Sequence, residues 1–153
     1  MISWDTCRQE FEPDGAFRDI FVYDTSMEHW RTLFKVLRAT YHLEYSVDGE
    51  SRPLPVSVDE AFATRDKAGP SLHFRMGNIN VACHFFTAIE IEFDISPRDV
   101  TSQADFEELL GFIQLVGDTL GKSVVMCYEG DEQHPFIIYE SKKRGFRQYE
   151  VSS

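Results

Sequence analysis

The sequence predicts an α+β fold, a mainly antiparallel sheet with two main helices packed on one face. Three observations carry this expectation. Residues 71–95 alternate apolar and ionisable side chains at a spacing of two. Two longer segments, behind Thr25 and behind Ser102, repeat apolar residues at the helical spacing. Short runs rich in aromatic and β-branched residues fill much of the rest, broken by Gly, Pro and Asp. The 153 residues read as a single domain, 1–153, long enough to bury a sizeable core.

Taken in order, Pro13-Asp14-Gly15 is a turn, and residues 17–23 form a strand. Thr25 and Glu28 fit a capping box for the first main helix, whose stripe is Met27, Trp30, Leu33, Phe34 and Leu37. Arg31, Lys35 and Arg38 face outward. Residues 41–47 alternate as a strand that ends at Asp48-Gly49, and Arg52-Pro-Leu-Pro55 is a loop. Ser57 and Glu60 open a short helix over 57–64. Strands over 71–76, 79–85 and 89–95 then form a meander. The Gly77-Asn78 turn sets Met76 opposite Ile79, Phe74 opposite Val81 and Leu72 opposite Cys83. A loop at 86–88 is expected to set Cys83 opposite Ile91 and Val81 opposite Phe93. Ser102 caps the second main helix, with Phe106, Leu109, Leu110, Ile113, Val116 and Leu120 buried and Gly121 as its stop. Strands over 123–128, 135–140 and 146–151 follow.

Composition bounds the function. The formal net charge is −11, which argues against nucleic acid, whose binders present a basic stripe, and against an anionic membrane surface. A basic protein partner fits that charge. Between Glu90 and Asp118 stand eight acids against one base, Arg98, so the molecule is expected to have an acidic side. Cys7, Cys83 and Cys127 are an odd number at wide spacing, which is no disulfide framework. No basic region followed by an apolar run opens the chain, and no run approaches the ~20 apolar residues of a membrane span. The expected compartment is therefore the cytoplasm.

The oily face of the meander should enter the core. Its other face carries His73, Arg75, Asn80, His84, Glu90, Glu92 and Asp94. His84 is expected opposite Glu90. Such a face suits water or a partner, and composition leaves both open. A metal at His73, His84 and the neighbouring acids would need a spacing that no recognised motif matches, so no metal or other cofactor is expected. Gly117-Asp-Thr-Leu-Gly121-Lys122-Ser123 is one residue short of a phosphate-binding loop and ends a helix instead of opening one. No nucleophile is framed, and no catalytic residue is assigned.

Two segments, FEPDGAFRDIFV (11–22) with the helix containing Trp30, and IEIEFDISPRDV (89–100) with the helix ending in Gly121-Lys122, resemble small acidic immunity proteins of bacterial polymorphic toxin systems. The resemblance implies a cytoplasmic protein that binds and neutralises a cognate toxin domain, often a basic nuclease. It implies no shared catalytic residues. Candidate partner-binding residues are Glu90, Glu92, Asp94, His84, His73 and Arg75 on the meander, with Glu107, Glu108 and Asp118 on the following helix. The alternative is a small metal-dependent or acid/base enzyme working on the same ionisable face.

Overall fold

Among the described residues nine strands form one sheet in the order β3-β2-β4-β5-β6-β1-β7-β8-β9, and every pairing is antiparallel. The structure, a computed structural model, describes residues 2–151. A short helix α1 (Trp4–Cys7) and a 3-10 turn (Arg8–Phe11) precede β1 (Arg18–Tyr23) and α2 (Met27–Thr40). Then come β2 (Glu44–Val47), β3 (Glu50–Arg52) and α3 (Val58–Arg65). The meander is β4 (Pro70–Met76), β5 (Ile79–Thr87) and β6 (Glu90–Ile95). A 3-10 turn (Pro97–Asp99) leads to α4 (Gln103–Leu120), and β7 (Val124–Tyr128), β8 (Ile137–Glu140) and β9 (Gly145–Gln148) complete the sheet. The α+β class is as the sequence predicts.

The helices cover one face. α2 buries Trp30, Leu33, Phe34 and Leu37, and α4 buries Phe106, Leu109, Phe112, Ile113, Val116 and Leu120. They meet Ile20 and Val22 of β1 and the inward residues of the meander, among them Phe74, Val81, Cys83, Ile91 and Phe93. Each large side chain removed from water stabilises the fold by about 1.5–3 kcal/mol. β1 is buried from Arg18 to Val22, which suits a central strand. Arg18 itself is 1% exposed. Its Nε donates to the Glu10 carbonyl at 2.7 Å, its guanidinium pairs with Asp14 at 3.2 Å and lies 4.1 Å over the Tyr128 ring. It thereby pins the N-terminal segment to the sheet.

The Gly77-Asn78 hairpin has the expected register, with Gly77 at φ 56. Gly121 ends α4 in the left-handed conformation, and the Lys122 amide donates to the Gly117 carbonyl at 3.2 Å. Several expectations are corrected. The α2 cap is Ser26, in a capping box with His29, while the Thr25 hydroxyl donates to the Ala88 carbonyl at 2.7 Å. Tyr41 precedes β2 and stacks on Phe74 at 4.8 Å. β3 occupies part of the expected loop. Phe112 joins the α4 stripe, which Leu110 only borders. The third meander strand starts at Glu90, and Cys83 faces Phe93 while Val81 faces Ile95. An extra β5 residue between His84 and Thr87 makes a bulge there. The shift from the expected pairing is two residues, so each side chain keeps its face.

Candidate functional site

Ile91, Phe93 and Ile95 enter the core, so Glu90, Glu92 and Asp94 project from the opposite, helix-free face. β4 adds Ser71, His73 and Arg75 to this face, β5 adds Asn80, His84 and Phe86, and β1 adds Asp19, Phe21 and Tyr23. The pairings build two rows across the sheet. One runs His73, Ala82, Asp94, Asp19, Cys127, and the next runs Ser71, His84, Glu92, Phe21, Val125.

His84 ties the rows together. Its Nε2 lies 2.6 Å from Asp94 Oδ2, and its ring stacks on Phe86 with centroids 5.1 Å apart. The Asp94 bond favours the imidazolium and raises the His84 pKa. Burial pushes the Glu92 carboxyl up to about 7, with repulsion from Asp19 adding to it and His84 opposing it. Burial likewise pushes Asp19 up to about 6, helped by the charges of Asp94 and Glu129. Asp19 is only 7% exposed, and the Gly130 amide is the group that favours its charge.

The loop over 129–135 covers part of this face. The Phe17 amide donates to Glu129 Oε1 at 2.8 Å, and Glu132 acts on both Asp19 and Tyr23. Beneath it Phe21 is 2% exposed and Cys127 fully buried. Burial pushes the Cys127 thiol up to about 12, so it is no nucleophile at neutral pH. Over β4–β6 the face stays open. A groove of about 650 Å³ there is lined by residues including Phe17, His73, Arg75, Asn80, Asp94 and Asp99. His73 Nε2 lies 2.9 Å from Ser71 Oγ, which is 3.0 Å from Ser46 Oγ.

Six of the nine candidate residues share this face: Glu90, Glu92, Asp94, His84, His73 and Arg75. The other three do not. Glu107, Glu108 and Asp118 belong to α4, in the layer across the sheet, where Asp118 accepts the Tyr139 hydroxyl at 2.6 Å. The register shift also corrects the expected His84–Glu90 pair: His84 stands opposite Glu92 and bonds Asp94. Asp19, Phe21 and Tyr23 are members of the site that sequence reasoning missed. Their alternation within 17–23 was visible, but the placement of this strand beside β6 was not.

Among the described residues no group of three or more His, Cys, Asp and Glu side chains is arranged to hold a metal ion. Chemically, the arrangement offers carboxylates held close together, one imidazole among them, and exposed aromatic surface beside them. Such a set attracts cations and exchanges protons near neutral pH. Among the described residues no helix is long and apolar enough to cross a membrane. Comparison with protein-family models, with curated proteins and with solved structures gives no match.

Proposed function

We propose that this chain is a protein-binding inhibitor of the immunity type, which neutralises a cognate toxin domain or another basic protein through the acidic face of its sheet. One observation carries the reading. Asp19, Glu92 and Asp94 converge from two paired strands on a helix-free face, and His84 is the basic group bonded to Asp94. Like charges at this spacing repel, and partial burial strengthens the repulsion. The free protein lowers that energy by sharing a proton with Glu92 near neutral pH and, at lower pH, with Asp19 as well. A lysine or arginine from a partner would lower it further and restore both carboxylates to their charged forms. Surrounding acids would steer a basic partner toward the face.

The test is co-expression with the protein encoded beside this chain's gene. The expected result is that the neighbour's product arrests growth and this chain restores it. Changing Glu92 and Asp94 together to Lys should abolish the rescue while circular dichroism stays unchanged. A neighbour that is harmless, or full rescue by the double reversal, overturns the reading.

An acid/base enzyme is the second reading, favoured by the 2.6 Å His84–Asp94 contact beside a carboxyl that titrates near 7. Glu92→Asp separates the two. It keeps the charge but withdraws the carboxylate, which costs a catalyst on the order of 10²-fold and a charge-binding surface far less.

A further inference from the structure

We propose that the open face is a two-part socket for one segment of a basic protein. Its anionic centre, Glu92 and Asp94 with Asp19 behind them, takes a lysine or arginine, and its apolar shelf, Phe86, takes a large apolar side chain of the same segment. The inference rests on the binding reading above and names the chemistry of what is bound.

Four observations carry it. Phe86 projects from the open face near the end of β5 and is 62% exposed. Apolar surface of that kind beside polar surroundings is the pattern of a protein-binding anchor. Asp19 is 7% exposed, and the charges acting on it most strongly are all negative, with the Gly130 amide favouring its charged form. A cation placed beside Glu92 and Asp94 would lower the repulsion that the three carboxylates exert on one another. His84 joins the two parts, stacking on Phe86 at 5.1 Å and bonding Asp94 at 2.6 Å, so shelf and centre are held in one arrangement before binding. Finally, outward residues along a strand recur at about 7 Å, and Phe86 lies in the bulge between His84, opposite Glu92, and Thr87, opposite Glu90, within one such step of Glu92. The two parts therefore match side chains two to four residues apart in a partner strand or helix.

A free metal ion would use the centre and ignore the shelf. A lipid surface would use the shelf and be repelled by the acids. A basic segment carrying an apolar neighbour uses both, and charge complementarity selects it.

The test titrates the isotopically labelled full chain with blocked pentapeptides and reads amide shifts by NMR. The probe is Gly-Arg-Gly-Trp-Gly, and the controls are Gly-Glu-Gly-Trp-Gly and Gly-Arg-Gly-Gly-Gly. We expect saturable shifts at Asp19, His84, Phe86, Glu92 and Asp94, with the probe binding about tenfold tighter than either control. Phe86→Ala should reduce the probe to the affinity of the arginine-only control. Glu92→Gln should weaken every arginine peptide and leave the fold intact. Absent shifts, shifts spread equally over Glu107 and Glu108, or an unchanged affinity in Phe86→Ala would overturn the socket. Peptide binding without rescue in the co-expression assay would overturn the inhibitory reading alone. Rescue without peptide binding would overturn the socket alone.

Discussion

Glu92 shows what a single residue on this face does to the protein. Its carboxyl is pushed from 4.5 to about 7 and that of Asp19 from 3.8 to about 6, in both cases by burial first. In the window between these values the folded chain binds more protons than the unfolded chain, so stability falls as pH rises through it. The raised imidazole of His84 works in the same direction, stabilising below 6.5 and losing that contribution as pH rises through its folded value. Asp14 and Asp105 work oppositely, held low by the Arg18 hydrogen bond and by the Thr101 amide, and they set the acid limit. Denaturant melts across pH should therefore give greatest stability near pH 5. The gain over pH 8 should be on the order of 1–2 kcal/mol after solvent screening. Glu92→Gln should flatten this slope and raise stability at neutral pH. A slope unchanged in that variant would mean that Glu92 is not its source.

At the scale of elements, α4 and β8 are fitted to each other around a missing side chain. A Cβ on Gly117 would come within 2.6 Å and 2.8 Å of the Tyr139 ring, which is fully buried and anchored by its hydroxyl to Asp118. Gly117→Ala gains about 1 kcal/mol of helix propensity but overpacks a core contact, and the overpacking dominates, for a net loss of about 1–2 kcal/mol. Urea melts should show that loss, and a smaller one when Tyr139→Leu is added. Leu109→Ala should cost about 2–5 kcal/mol, because Leu109 is fully buried. The α4 stripe was legible because Ser102, the apolar spacing and Gly121 all agree. α1 was not, since its four residues are too few to show a period. The α2 start was misplaced by one residue because Thr25 and Ser26 are both good caps. Only the tertiary bond from Thr25 to Ala88 decides between them.

Across the whole molecule, the two sides of the sheet differ in charge: Glu90, Glu92, Asp94 and Asp19 stand together on one side, while the helical side mixes Arg31, Lys35 and Arg38 on α2 with Glu107, Glu108 and Asp118 on α4. Association with a basic partner should slow as salt rises. Glu92→Lys with Asp94→Lys should flatten that dependence, and Glu107→Lys with Glu108→Lys should change it little, as stopped-flow rates would show. The two faces could be told apart in the sequence because side-chain alternation survives a register error of two. Strand order could not. β1 takes its neighbours from β6 and β7, far along the chain, and nothing in its own residues names them. That is why Asp19 was missed.

The bulge in β5 makes position 86 a dial. Its side chain has no residue opposite it in β6 and no core to fill, so the fold places little demand on what it is. Substitutions there should leave the melting temperature nearly unchanged while shifting which partner is preferred. Stability and specificity are thus uncoupled at one residue, and a chain of this design could be retargeted by changes at Phe86 without first being rebuilt.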